Sequence, residues 1–246
     1  MLGLPQHVTA CLFDLDGVLT QTALVHNAAW KQTFDTLLET WSAQHDEPFV
    51  PFDSGADYQR YVDGRPRADG VRTFLASRGI TLPEGSPDDG PDQLTVNGIG
   101  NKKNILVLQK IKEGAVQVYP GSVEYLKAAR AAGLRRVVVS ASANCKDVLE
   151  AAGIADLIEE RVDGVTAREQ DLPGKPAPDT FLYGAKLLGL PPGACAVFED
   201  AQAGVAAGRA GNFGIVVGVD RVGQHDALLE HGADIVVTDL SELLTR

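Results

Sequence analysis

Five short apolar runs are the most regular feature of the chain's hydrophobic pattern. Each is rich in Val, Ile or Leu and lacks the alternation of polar and apolar residues that a half-exposed strand shows. Such runs indicate strands that are covered on both faces, as in a parallel sheet. The runs are VTACLFDLD (8–16), RRVVVSAS (135–142), ACAVFED (194–200), FGIVVGV (213–219) and ADIVVTDL (233–240).

Helical stretches lie between these runs from about residue 117 onward. Each of the stretches below ends on a glycine, which favours a helix stop. Alternating strands and helices are typical of a doubly wound, Rossmann-like α/β fold with a parallel sheet. The stretches are SVEYLKAARAAG (122–133), CKDVLEAAG (145–153), DTFLYGAKLLG (179–189) and AGVAAGRAG (203–211).

Residues 22–114 break this alternation. The segment contains helical patterns and a Pro-, Gly- and Asp-rich stretch, LPEGSPDDGPDQ, but no strand pattern. We therefore expect a helical cap domain over residues 22–114, inserted directly after the first strand. The α/β core domain then consists of residues 1–21 and 115–246.

The charge balance limits the partners that we expect. The 246-residue chain has a net charge of −11, which disfavours nucleic acid and anionic membranes. A small anionic substrate is compatible with this charge, because local cations or a metal can outweigh the overall field. We expect a monomer that acts on a small molecule.

Patterns for export and membrane insertion are not evident. The first residues, MLGLPQHVTA, lack a basic region before a long apolar core, and no apolar run approaches the roughly 20 residues that span a bilayer. The three cysteines, Cys11, Cys145 and Cys195, have no CxxC spacing and are expected to be buried thiols. These observations predict a cytoplasmic protein.

Acidic residues follow two of the predicted strands. Asp14 and Asp16 close the first apolar run, and Glu199 and Asp200 close the run AVFED. In a doubly wound sheet, ligands bind beyond the carboxyl ends of the strands. Converging carboxylates would repel one another without a cation, and oxygen ligands suit Mg²⁺. The alternative is that these residues are helix caps and turn acids.

Two further residues fit a phosphate site at the same edge. Ser140 follows the valines of VVVSAS, and Lys175 lies between a glycine and a proline in GKPAPDTF. A hydroxyl can bind a phosphoryl oxygen, and a lysine can neutralise both carboxylates and phosphate. A carboxylate can attack phosphorus to form an aspartyl-phosphate, and a second acid can transfer the proton. An ordinary solvated lysine is the alternative for Lys175.

In the order DLDGVLT, VVVSAS, GKPAPDTF and FEDAQAGVAAGRAG, the chain resembles the haloacid-dehalogenase-like phosphotransferase superfamily. The resemblance implies the doubly wound core outside the insertion. It also implies the following roles: Asp14 as nucleophile, Asp16 as acid/base, Ser140 and Lys175 on the phosphoryl group, and Glu199 and Asp200 on Mg²⁺ with Asp14 and the main-chain carbonyl of Asp16.

Within that superfamily, the motifs DGVLTQTALVHNAAWK, NKKN, VYPG and SASAN are similar to those of the β-phosphoglucomutase family. The similarity implies that His26 helps to hold the acid/base aspartate and that Arg67 binds the phosphate that is not transferred. A packed or solvated role is the alternative for both. The remaining substrate and phosphate residues that it implies are Gly17, Thr22 at the hinge, Gly64, Lys103, Ala141 and Asn144.

Two positions depart from the family pattern. Gln21 stands where the family has Asp, and Ala143 stands where it has a lysine. Loss of that lysine removes one cation for the second phosphate. Arg67 alone could supply the charge, or Lys146 or Arg65 could substitute.

The leading hypothesis is therefore a mutase that interconverts β-glucose 1-phosphate and glucose 6-phosphate. The alternative is a Mg²⁺-dependent phosphatase of a small sugar phosphate on the same core. A signalling receiver domain is disfavoured, because its phospho-accepting Asp follows a later strand. An inactive binding module is disfavoured because the four motifs are complete.

Overall fold

The computed structural model describes residues 2–114 and 116–245, and these divide into two compact units. The first unit contains the residues up to Thr22 and those from Val116 onward, and the second begins at Ala23. The predicted boundary at residue 115 and the chain ends at residues 1 and 246 lie outside the described residues.

A parallel sheet forms the centre of the first unit. Its described strands are β1 (Ala10–Phe13), β2 (Arg135–Val139), β3 (Glu160–Val162), β4 (Cys195–Glu199), β5 (Ile215–Val219) and β6 (Ile235–Val237). They lie in the order β3-β2-β1-β4-β5-β6, and every neighbouring pair is parallel. The predicted doubly wound α/β fold is confirmed.

Nine α-helices are present in the described residues. They are α1 (Thr22–His45), α2 (Arg67–Ser77), α3 (Val96–Lys112), α4 (Pro120–Ala131), α5 (Cys145–Ala151), α6 (Gly164–Glu169), α7 (Asp179–Leu187), α8 (Gln202–Ala210) and α9 (His225–Glu230). A π-helical turn spans Tyr58–Val62, and short 3₁₀ helices span Ala155–Leu157, Pro192–Ala194 and Leu240–Thr245.

The register of the central strands explains where the site forms. Phe13 of β1 lies opposite Val138 of β2 and Phe198 of β4, and the rings of Phe13 and Phe198 stack 4.5 Å apart. Both rings are fully buried. Asp14 and Glu199 directly follow these two rings in β1 and β4, so the two carboxylates lie at the same level at one edge of the sheet.

The five predicted apolar runs form β1, β2, β4, β5 and β6. The third strand was not predicted, and neither were the short helices α6 and α9. Strand β3 has the sequence ERV and pairs only with β2, at the edge of the described sheet. Two charged residues among three leave no apolar pattern to read.

The second unit is helical, and its described residues contain no strand. Its core is aromatic: Phe34 stacks on Trp30 at 4.9 Å and contacts Phe74 at 4.2 Å between ring centroids. Helix α3 begins at Val96. Thr95 caps it by accepting a hydrogen bond from Gly98 N through its side chain, although two glycines weaken the helical pattern there.

The three cysteines are buried thiols, as predicted, and burial raises the pKa of Cys195 to about 11. A thiol with a raised pKa is a poor nucleophile. None of the helices described is at once long and apolar enough to cross a bilayer.

Candidate active site

Asp14 follows the central strand directly and is nearly buried. Its backbone N–H donates to the carbonyl of Phe198 at 2.9 Å, which extends the pairing of β1 with β4 by one residue. The carboxylate is therefore fixed by the sheet itself, and only 6% of the residue is exposed. Burial on this scale favours a reacting group that has to be kept from water.

Lys175 reaches the same point from the loop before α7 and is 2% exposed. Its ammonium donates to Asp14 Oδ1 at 2.5 Å, to Glu199 Oε1 at 2.5 Å and to the carbonyl of Val139 at 3.1 Å. An ammonium has three hydrogens. All three are used, and they join the ends of β1, β2 and β4.

The pKa of Lys175 lies above its ordinary value. Burial acts to lower that pKa, but the carboxylates of Asp14 and Glu199 outweigh burial and raise it. The side chain therefore remains a cation at neutral pH. A surface role for this lysine is excluded by its burial and its partners.

Asp14, Glu199 and Asp200 form a buried carboxylate cluster whose potential ligand atoms all lie within 4.8 Å of one another. Burial raises the pKa of Asp14 well above its ordinary value, although Lys175 opposes the shift. Three carboxylates face one ammonium, so Lys175 alone does not balance the negative charge of the cluster. An all-oxygen donor set with excess negative charge fits a hard divalent cation.

Gly17 leaves room for Asp200. Its φ of +91° belongs to the left-handed region, and a Cβ there would collide with the Asp200 carboxylate. Only glycine meets both conditions without strain. The residue lies within the loop that follows Asp16, so its contribution is to shape that loop.

Asp16 occupies a different environment from Asp14. The hydroxyl of Thr22 donates to Asp16 Oδ1 in a short hydrogen bond, and the hydroxyls of Thr20 and Thr22 are 2.6 Å apart. Ser140 Oγ lies at the long limit of a hydrogen bond, 3.5 Å from Asp16 Oδ2. Hydroxyl groups bond to this carboxylate, so its surroundings differ from those of Asp14.

The loop after β2 carries the predicted phosphate-binding residues. Ser140 is buried, and its Oγ accepts a hydrogen bond from Ser142 N at 3.1 Å. Asn144 precedes α5 and is also buried, and Ala141 lies between Ser140 and Ser142. Gly164 packs so closely on the carbonyl of Ala141 that a Cβ there would lie 2.7 Å from it. The loop is thus held by a hydrogen bond of its own and by close packing against Gly164.

The remaining predicted residues belong to the second unit. The ring nitrogen Nδ1 of His26 is 2.7 Å from Lys103 Nζ, and the Lys103 ammonium lies 4.8 Å from the centre of the Trp30 ring. Because an ammonium can only donate, Nδ1 of His26 accepts and Nε2 carries the ring hydrogen. Gly64 has a left-handed φ of +69° in the turn before α2. That His26 holds Asp16 stays a prediction.

The two departures from the family pattern have simple surroundings. Gln21 donates its backbone N–H to the carbonyl of Gln117 at 2.8 Å. Ala143 lies in the loop against Gly164. Lys146 extends along α5, 3.9 Å from Glu150, with 63% of its side chain exposed. Nothing in these contacts selects a replacement for the missing lysine.

One residue that the sequence did not suggest is Arg221, which follows β5. Its guanidinium donates to the carbonyl of Gly17 at 2.8 Å and to that of Thr238 at 2.7 Å, and it covers the ring of Tyr119 at 3.5 Å. It therefore ties the loop after Asp16 to the ends of the neighbouring strands. Contacts to backbone carbonyls leave no motif, so no sequence pattern signals them.

A second such residue is Gln224, which is buried. Its side-chain amide donates to the carbonyl of Asp200 at 2.8 Å and accepts from Gln202 at 3.0 Å. It fixes the backbone of one member of the carboxylate cluster. Both missed residues thus support the site and do not belong to its reacting groups.

A model of the haloacid dehalogenase-like hydrolase family matches residues 8–212. With that match, the chain belongs to the haloacid dehalogenase-like hydrolase family. It is 56% identical to a β-phosphoglucomutase of Mycobacterium tuberculosis, over 99% of this chain and 94% of that protein. The β-phosphoglucomutase of Bacillus subtilis is 30% identical, over 95% and 91% of the two chains. A crystal structure of β-phosphoglucomutase from Clostridium difficile superposes with a TM-score of 0.75 at 25% identity. The match covers 96% of this chain and 93% of that one.

Replacement of Arg221 by Met tests its supporting role. We expect Arg221→Met to lower the free energy of unfolding by about 1–3 kcal/mol, because the carbonyls of Gly17 and Thr238 lose a charged hydrogen-bond donor. Hydrolysis of p-nitrophenyl phosphate should also slow, since the loop after Asp16 loses its anchor. Urea unfolding and steady-state rates measure the two effects.

Arg209→Met is the matched control. The side chain of Arg209 is 67% exposed and lies 3.4 Å from Asp234, so its removal should change stability by less than about 0.5 kcal/mol. Equal effects of the two substitutions would contradict the supporting role of Arg221.

Proposed function

We propose that this protein is a β-phosphoglucomutase. It converts β-D-glucose 1-phosphate and glucose 6-phosphate into each other through an aspartyl-phosphate and a 1,6-bisphosphate. The observation that carries the proposal is the 56% identity to the Mycobacterium tuberculosis enzyme along 99% of this chain. The two differently surrounded aspartates at the end of β1 support it. Its monomeric state and cytoplasmic location stay predictions.

The proposed reaction begins with phosphorylated Asp14. The 6-hydroxyl of β-glucose 1-phosphate attacks the phosphorus, so a bond to O6 forms while the bond to the Asp14 oxygen breaks. Asp16 takes the hydroxyl proton. The products of this step are glucose 1,6-bisphosphate and unmodified Asp14.

The second step reverses the roles. The bisphosphate reorients so that its C1 phosphate faces Asp14. Asp14 then attacks that phosphorus while the bond between phosphorus and O1 breaks. Asp16 returns its proton to O1, which leaves glucose 6-phosphate and phosphorylated Asp14. Every atom and proton is restored, so the cycle needs only a trace of bisphosphate to start.

The environments of the two aspartates support this division of labour. Lys175 bonds to Asp14, so a positive charge lies beside the oxygen that attacks phosphorus. Asp16 is held by the hydroxyl of Thr22, which leaves its position fixed while its proton is exchanged. Two like residues with unlike surroundings are the usual way to divide nucleophile from acid/base.

We propose that the cation of the carboxylate cluster is Mg²⁺. Asp14, Glu199 and Asp200 would hold it through oxygen atoms, together with the main-chain carbonyl of Asp16. When bound, Mg²⁺ supplies charge neutralisation for the transferring phosphoryl group. Lys175 and Ser140 would bind the oxygens of the same group.

The phosphate that is not transferred needs a separate binding site. We assign it to Arg67, since a guanidinium binds phosphate through two parallel hydrogen bonds. Lys103 and Asn144 are the further substrate residues of this proposal, with the backbone of Gly64 and Ala141. Arg67 bears more of the charge than in the family pattern, because Ala143 replaces a lysine.

Product analysis tests the proposed function. With β-glucose 1-phosphate, Mg²⁺ and a trace of glucose 1,6-bisphosphate, we expect glucose 6-phosphate to form faster than inorganic phosphate. The physical reason is that a sugar hydroxyl, and not water, receives the phosphoryl group. Coupled glucose 6-phosphate dehydrogenase and a phosphate assay measure the two products in parallel, and the α-anomer serves as the control. If inorganic phosphate alone appears, the chain is a sugar phosphatase on the same core.

Replacement of one carboxylate ligand tests the assignment of Mg²⁺. We expect Asp200→Asn to weaken Mg²⁺ binding by at least about tenfold, because one anionic ligand becomes neutral without a change in size. Isothermal titration of chelator-treated protein measures this affinity. Asp156→Asn is the matched control, since that side chain is 77% exposed. Unchanged binding in Asp200→Asn would argue that the cation lies elsewhere.

Substitution of Arg67 tests the second phosphate site. Arg67→Ala should lower kcat/KM for isomerisation by about 100-fold, the loss expected for a charge-assisted bidentate contact. Hydrolysis of p-nitrophenyl phosphate, which has one phosphate, should change far less. Arg60→Ala, an exposed arginine of the same unit, is the control. Parallel losses of both activities in Arg67→Ala would contradict the assignment.

A further inference from the structure

The guanidinium of Arg67 has an identified partner within its own unit. Arg67 is the first residue of α2, and its Nη2 donates to the side-chain oxygen Oδ1 of Asn101 at 3.0 Å. Asn101 lies on α3, so the contact links two helices that follow different parts of the chain. The orientation of the arginine head is thus tied to that of one amide.

The amide of Asn101 is fixed in turn. Its Nδ2 donates to the carbonyl of Pro87 at 2.9 Å and to that of Asp89 at 2.9 Å. An asparagine amide has two N–H hydrogens and one carbonyl oxygen. Both hydrogens are used on carbonyls, which can only accept, so a flipped amide would place oxygen against oxygen. Oδ1 must therefore face Arg67.

Gly100 provides the space for the stem of the same arginine. A Cβ on Gly100 would lie 3.2 Å from Cγ and 3.3 Å from Nε of Arg67, closer than ordinary contact. Glycine weakens a helix interior relative to alanine. Its presence at this buried position of α3 is explained by the close approach of the arginine.

We propose that Asn101, with Gly100, is a positioning residue that presets Arg67 for the phosphate that is not transferred. This inference rests on the proposed function. A free arginine side chain has many rotamers, and holding it in one of them reduces the entropy lost when phosphate binds. Asn101 does this without adding negative charge, which an aspartate or glutamate partner would introduce beside the phosphate.

Asn101→Leu tests the proposal, since leucine has a similar size and no hydrogen-bonding group. We expect KM for β-glucose 1-phosphate to rise by about tenfold with a smaller change in kcat, the pattern of lost preorganisation. Hydrolysis of p-nitrophenyl phosphate should change far less. In a double-mutant cycle, Asn101→Leu should add almost nothing in an Arg67→Ala background, because the residue acts through that arginine.

The matched control is Asn97→Leu on the same helix. The Asn97 amide donates to the carbonyls of Glu84 at 3.0 Å and Gly85 at 3.4 Å, so it holds the same loop. In the described residues it makes no hydrogen bond to Arg67. We expect Asn97→Leu to isomerise at close to the wild-type KM. An equal rise in both variants would overturn the proposal, because loop order would then explain the effect.

Gly100→Ala provides a second test if Asn101→Leu does not fold, as judged by its thermal unfolding. The added methyl group should displace the stem of Arg67 and raise KM in the same way. Additive effects of Asn101→Leu and Arg67→Ala, or an unchanged KM in both Asn101→Leu and Gly100→Ala, would overturn the proposal. Wild-type protein that releases only inorganic phosphate would instead contradict the proposed function, so the two failures are distinguishable.

Discussion

The buried ammonium of Lys175 is the interaction on which the arrangement of the site depends. It joins Asp14, Glu199 and the carbonyl of Val139, and so fixes the ends of three adjacent strands relative to one another. Removal of one partner from a buried ion pair leaves an uncompensated charge, which is strongly destabilising. The strands bring the carboxylates together, and the lysine allows them to stay there. Because one cation does not balance the cluster, the same arrangement also favours a divalent metal.

Asp14 and Asp16 show how a fold gives two like side chains different surroundings. The register of β1 places Asp14 inside the sheet edge, where its partners are a cation and two further acids. Asp16 lies two residues after Asp14, in a turn where the hydroxyl of Thr22 donates to it. Arg221 holds the carbonyl of Gly17 in that turn. The difference between the aspartates thus comes from backbone geometry that residues distant in sequence maintain.

The sequence predicted the parts of this protein whose signal is local. Apolar runs identified the strands with both faces buried, and the acids directly after two of them indicated the site. Strand β3 could not be read, since two of its three residues are charged and its position is set by pairing with β2. The roles of Arg221 and Asn101 escaped for a related reason: both residues donate to backbone carbonyls, and a carbonyl is the same in every residue.

The cations of the second unit follow the opposite principle from Lys175. Lys175 is held by acids, which cancel its charge until a metal or phosphate changes the balance. Lys103 and Arg67 are held through the contacts described by a histidine nitrogen and an amide oxygen, which orient a cation without contributing negative charge. In the proposed function, Lys175 serves the phosphate that is transferred and Arg67 the phosphate that is not.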